Sequence, residues 1–136
     1  MLDLVQFAKG DRFARHCGIE LIAAHEGYAK ARLVLSGEHM NGMDRAQGGA
    51  IFALADLAFA VAVNSYGPQA MAVNVNISYF KGAEVGTTLT AEATPISVSR
   101  RLGTFSVRVT DDEGDVVALF QGMGYRRPGS GQGSPR

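Results

Sequence analysis

Residues Gly48 to Val63, GGAIFALADLAFAVAV, carry a single charged side chain, Asp56, in an otherwise apolar helical stretch. Nearly every turn of such a helix offers an apolar face, which predicts a core helix and not a surface one. An isolated carboxylate among hydrocarbon is costly unless it is paired, hydrogen-bonded or protonated. The Gly48-Gly49 pair stands at the start of the stretch, where unsatisfied N–H groups and the positive end of the helix dipole face outward. An acid and a bare helix N-terminus about two turns apart suit chemistry on a carbonyl. The competing expectation is a buried Asp that caps a loop from a neighbouring strand, since structural networks also hold acids.

The chain has 136 residues, 46% of them hydrophobic. That suits one domain with one sizeable core. Cys17 is the only cysteine, so no internal disulfide forms and no CxxC pair serves zinc or redox chemistry. A reducing, cytoplasmic compartment is expected. The start, MLDLVQFAKGD, lacks the pattern of a signal peptide, and the apolar stretch, broken by Asp56, is too short for a membrane span. Thirteen basic and thirteen acidic residues balance, which argues against a nucleic-acid partner. A near-neutral surface fits a protein that covers area by self-association.

Along the chain, Leu2 to Cys17 reads as a short helix with a break at Gly10. Gly18 to Ala23 and Tyr28 to Leu35 read as a strand pair turning around His25-Glu26-Gly27, with Ala31, Leu33 and Leu35 alternating against Lys30 and Arg32. A loop from Ser36 to Gln47 leads into the apolar helix, which Gly67-Pro68 stops. Four strands follow. In the first, Met71, Val73, Val75, Ile77 and Tyr79 share one face; in the second, Pro95 signals a bulge or an edge. Phe105, Val107 and Val109 continue the pattern, DDEGD at Asp111 to Asp115 is a hairpin turn, and Val116 to Arg126 closes the sheet. The tail from Pro128 is rich in Gly, Ser and Pro and is expected to be disordered, which leaves residues 1–127 as one domain. Hairpin-linked strands around one apolar helix imply an antiparallel sheet wrapped on that helix, an α+β fold.

No GxSxG elbow, P-loop or GxGxxG motif occurs. His16, His25 and His39 share no metal-ligand spacing; each reads as an ordinary surface residue, and no metal site is expected. What remains is NGMDRAQGGAIFALAD, Asn41 to Asp56. Here the chain resembles the hotdog-fold acyl-CoA thioesterases, in particular their phenylacetic acid degradation branch. That family carries an Asn, then His-Gly-Gly, then a helix with Leu-Ala-Asp. This sequence has Asn41, Gln47-Gly48-Gly49 and Leu54-Ala55-Asp56 at the same spacing. The resemblance continues through AVAVNSYG (Ala60 to Gly67), NISYFK (Asn76 to Lys81) and ALFQGMGYR (Ala118 to Arg126), and spans about Phe13 to Arg126.

The resemblance implies three roles. Asp56 would be the nucleophile or general base at the thioester carbonyl. Gly48 would polarise that carbonyl through its N–H. Asn41 would orient the water or the acid, from the subunit opposite the Asp. The family assembles as dimers of dimers, so a homo-oligomer is implied. The substrate is an acyl-CoA, and no further cofactor is implied. Three departures stand out: Gln47 replaces the family His, removing any proton-handling role there, Asp44 sits where the family often has a small residue, and Ala60 stands where some relatives carry Thr or Ser.

Gln47, Gly49, Asn76 and Tyr79 are candidates to line the substrate, and Lys81, Arg100 and Arg101 to hold coenzyme A phosphates, as Arg126 and Arg127 could. Each has a plainer alternative. Asn41-Gly42 is a common turn dipeptide, Gly48-Gly49 allows close packing, Asn64 suits a helix C-cap, and surface basic residues are usually only solvated. A non-catalytic acyl-CoA-binding protein and a hotdog hydratase or dehydratase are the other functions such a chain could serve. The second needs the missing His.

Overall fold

The computed structural model describes residues 2–128; the predicted disordered tail lies, after Pro128, outside them. Two short helices come first, α1 (Leu4–Lys9) and α2 (Arg12–Cys17). Asp3 caps one and Asp11 the other, each accepting from backbone N–H groups of the first turn. The chain does break at Gly10, as expected. Strands β1 (Glu20–His25) and β2 (Tyr28–Val34) follow, then helix α3 (Gly48–Asn64), and then β3 (Ala70–Tyr79), β4 (Thr88–Val98), β5 (Leu102–Thr110) and β6 (Val116–Arg126). The strands form one antiparallel sheet in the order β1-β2-β4-β5-β6-β3. It curls around α3 as the resemblance implies.

The inner face of the sheet is graded to fit the helix. Ala29, Ala31, Ala91 and Ala93 on β2 and β4 are fully buried, and their short side chains let the backbone of α3 come close. On β5 and β6 the same job falls to Gly103, Gly122 and Gly124. A Cβ on Gly122 would lie 2.8 Å from the Phe59 ring, and one on Gly124 would lie 3.0 Å from Val63. Phe59 therefore seats directly on the sheet backbone, flanked by the Phe105 and Phe120 rings.

Three local expectations are corrected. Val73 is a bulge: Ala72 pairs with Gly124 and Asn74 with Met123. The extra residue flips the pleat, so Ala70, Val75 and Ile77 pack on the core while Met71 and Val73 stay exposed. The helix ends at Asn64 and not at Gly67-Pro68, because Asn64 and Ser65 bend their side chains onto the last turn. His39 is not a plain surface residue. Its Nδ1 accepts from Ser36 N–H at 2.9 Å, so Nε2 donates to the Cys17 carbonyl at 2.7 Å, tying the loop to α2. The expected bulge at Pro95 is present, with the β4–β5 register shifting between Pro95 and Ser97.

The two sheet edges differ. α1 packs on β1, whereas β3 is ten residues long with Met71, Val73 and Tyr79 exposed. No described helix is long and apolar enough to cross a membrane.

Candidate active site

The helix N-terminus is built by the loop before it. Met40 bridges to Ala46, and Asn41 N–H donates to the Arg45 carbonyl at 2.7 Å. Asn41 Oδ1 accepts from the N–H groups of Met43 (2.8 Å) and Arg45 (3.2 Å), which leaves the side-chain amide NH2 as the group it can offer outward. The turn expectation and the functional one are thus compatible. Asp44 completes the turn with φ 59, a left-handed conformation that favours glycine and, next, Asn or Asp.

The first four N–H groups of a helix have no partner within it. In α3 three of them find one. Gln47, the N-cap, donates to the His39 carbonyl at 2.8 Å, Ala50 to the Gln47 carbonyl, and Gly49 to Gln47 Oε1. Gly48 N–H alone has none among the described residues. It is half-buried at the positive end of a 17-residue helix. The Tyr79 hydroxyl donates to the Gly48 carbonyl at 2.9 Å. Burial pushes the Tyr79 pKa up, which keeps the phenol a donor.

Asp56 is not enclosed. The sheet covers most of α3, but one stripe, Gly49, Phe52, Ala53, Asp56 and Ala60, stays partly open. Asp56 has no hydrogen bond or ion pair among the described residues, so it caps no loop. Its carboxyl is held above the ordinary carboxylate value, first by burial and then by the like charge of Asp11 at the start of α2. Along one helix, Asp56 lies about 12 Å below Gly48 at about 1.5 Å per residue. One protomer therefore does not bring the acid and the donor onto the same carbonyl.

The remaining candidates scatter. Asn76 pairs with Gln121 on the outer, exposed side of β3. Lys81 is taken up by carboxylates: its Nζ lies 2.7 Å from both Asp111 and Asp115 and 3.6 Å from Glu113. Those contacts raise its pKa and fill the acidic turn with an internal cation, which leaves Lys81 poorly suited to a phosphate. Arg100 and Arg101 sit on the β4–β5 turn, where Arg101 Nη1 donates to the Tyr125 hydroxyl at 3.1 Å. That turn lies beside the C-terminal end of α3, since Gly103 and Gly124 pack on Val63. Asn64 is structural: its amide donates to the Ala60 (2.9 Å) and Ala70 (3.3 Å) carbonyls, and its Oδ1 accepts from Ala70 N–H (2.9 Å).

Residues 46–118 match the thioesterase superfamily. The chain belongs to that superfamily. A protein of Archaeoglobus fulgidus is 38% identical over 118 residues, 87% of this chain and 77% of that one. The acyl-coenzyme A thioesterase PaaI of Escherichia coli is 33% identical over 122 residues, 90% of this chain and 87% of that one. The solved structure of the E. coli PaaI protein from the phenylacetic acid degradation operon superposes with a TM-score of 0.86 at 31% identity, covering 94% of this chain and 99% of that one. The antiparallel sheet around α3 is thus the hotdog fold of the thioesterases. The matched region contains Gln47, Gly48, Gly49 and Asp56, while Asn41 precedes it.

Sequence reasoning missed Asp11, and it named Tyr79 as a substrate-lining candidate without its bond to Gly48. Asp11 carries no motif, and only the α1–α2 break brings its charge into reach of Asp56. The contact of Tyr79 with Gly48 joins residues far apart in sequence, and no local pattern encodes it.

Proposed function

We propose that the protein hydrolyses the acyl-CoA ester of a small acid, the phenylacetyl type included, to the free acid and coenzyme A. The observation that carries this reading is the unspent Gly48 N–H, together with an acid about two turns further along the same helix that no partner neutralises. The thioester carbonyl oxygen accepts from Gly48 N–H, where a preorganised donor lowers the barrier by roughly 2.7–4 kcal/mol. Asp56 delivers the attack, either on the carbonyl carbon itself or by taking a proton from water. The C–S bond then breaks and coenzyme A leaves, taking up as a thiol the proton that the water gives up. Where Asp56 attacked directly, that water then hydrolyses the acyl–Asp56 anhydride and frees the acid. No metal or further cofactor enters this scheme.

The site is completed by a second copy. The midpoint between Gly48 and Asp56 is position 52, and Phe52 lies on the open stripe of α3. Two antiparallel α3 helices related by a two-fold axis near Phe52 bring Gly48 and Asn41 of one protomer to Asp56 of the other. The long free edge of β3 supports the same pairing, because antiparallel β3 strands would join the two sheets. This pairing also moves the arginines at the C-terminal end of α3 towards the partner's Gly48, where Arg100 and Arg101 would meet coenzyme A phosphates. Two such dimers form the tetramer, and the protein works in the cytoplasm.

Thiol release from short-chain, medium-chain, phenylacetyl and hydroxyphenylacetyl-CoA tests the reading. Hydrolysis by the wild type and its loss in Asp56→Asn is the expected result. Single turnover in 18O-water separates the two roles of Asp56, since only an anhydride route leaves label in its carboxylate. An active monomer in light scattering would remove the shared site, and binding without turnover by the wild type would favour an acyl-CoA-binding protein.

A further inference from the structure

We infer that Gln47 and Tyr79 are positioning residues that together lock the Gly48–Gly49 peptide unit and leave Gly48 N–H as the one backbone donor of the helix start offered to the substrate. This rests on the thioesterase reading above. The peptide unit between Gly48 and Gly49 has one acceptor, the Gly48 carbonyl, and one donor, Gly49 N–H. Tyr79 Oη donates to the carbonyl at 2.9 Å, and Gln47 Oε1 accepts from the N–H. The same unit is therefore gripped from both sides. The preceding unit is also tied, because its Gln47 carbonyl accepts from Ala50 at 2.9 Å and Ile51 at 3.4 Å.

Such a grip is needed because two consecutive glycines have the least restricted backbone a chain can have. A donor helps a developing oxyanion only if its direction is fixed before the reaction. The glycines are in turn what lets the grip form. A Cβ on Gly48 would stand 3.1 Å from the Tyr79 hydroxyl and 3.2 Å from Cζ, and a Cβ on Gly49 would stand 2.7 Å from Gln47 Oε1. Each glycine makes room for one side of the clamp. This assigns Gln47, at the position where the family carries His, a task that needs an acceptor and no titration. It also makes Tyr79 a residue that acts through Gly48 and does not depend on contact with substrate.

The test compares Gln47→Ala, Tyr79→Phe, their double variant and Gly49→Ala in the full-length protein, with Asp56→Asn as the reference for the reaction itself. Gly49→Ala displaces the flexible end of Gln47 and leaves Gln47 itself unchanged. Alanine is the better helix former, so this variant should melt no lower than wild type. Each single change is expected to lower kcat by between about tenfold and a hundredfold and to leave KM within about twofold. The double variant should be no worse than the weaker single, because both contacts hold one unit. The Gly49 amide should exchange faster in Gln47→Ala and in Tyr79→Phe. An unchanged kcat, a rise in KM alone, or multiplicative losses in the double variant would overturn the clamp. If the wild type hydrolyses no thioester, the functional reading falls. Amide exchange at Gly49 then still decides whether the clamp exists.

Discussion

At its C-terminal end α3 is closed by its own side chains, whereas at its N-terminal end it is held open by side chains brought from elsewhere. Asn64 makes three hydrogen bonds that stitch the last turn to the start of β3. Ser65 Oγ donates to the Ala62 carbonyl at 2.6 Å and accepts from Gly27 N–H at 2.7 Å, buried. The side-chain polar groups of Asn64 and Ser65 are matched there, and the residues before them, Val61 to Val63, are fully buried. At the other end two glycines replace side chains, a left-handed Asp44 shapes the approach, and Gly48 N–H is left without a partner. A fold built for stability alone would have matched that donor too. The difference separates the part of the helix that holds the molecule together from the part that the proposed reaction uses.

The sharpest way to break this contrast is Asp56→Asn, two turns in from the open end. The expected result is a loss of thiol release by about 10²- to 10⁴-fold, measured at saturating acyl-CoA with binding retained. Activity near wild type would show that the open end works without the acid.

The closed end should respond in the opposite currency. Asn64→Ala leaves the Ala70 N–H without its acceptor and removes a donor from the Ala60 and Ala70 carbonyls, and is expected to cost about 1–3 kcal/mol of stability. Gly122→Ala drives a Cβ into Phe59 and is expected to cost about 1–3 kcal/mol through overpacking. Urea titrations check both. Turnover per folded molecule should stay close to wild type, and a fall in kcat without a fall in stability would erase the division between the two ends.

The same division governs what the sequence could reveal. The apolar run around Asp56 and the alternation in β2, β4 and β5 are periodic signals, and periodicity follows directly from one buried face. Those elements, the antiparallel wrap and the family pattern around Gly48 were therefore legible. The bulge at Val73 was not, because one inserted residue reverses a face without altering composition. Nor was the fate of Lys81, since its three carboxylate neighbours come from a turn some thirty residues on. The exposed stripe through Asp56 escaped for a related reason: a helix apolar on all sides gives no sign of which side the sheet leaves uncovered. Gln47 stood out only as a departure from the family, and its hydrogen bond to Gly49 had to be seen in three dimensions.

The smallest effect is the most specific to the open end. Asp56 carries a raised pKa, first through burial and then through Asp11. An ionised Asp56 is the competent form, so kcat/KM should climb with pH along a limb lying above the ordinary carboxylate range. Asp11→Asn removes the like charge and keeps an acceptor for Ala14 N–H, which Asp11 Oδ1 now meets at 3.0 Å. The limb should move towards lower pH and the plateau should hold. Stability carries the matching sign. Ionising a group whose pKa is higher in the folded state disfavours folding, so the penalty is full above the raised pKa and gone below the ordinary one. Asp56→Asn should accordingly melt above wild type at neutral pH, with the gain shrinking as pH falls through that window. A gain that persists undiminished at acid pH would mean that Asp56 is costly for reasons other than its charge. The open end would then be a packing defect and not a poised acid.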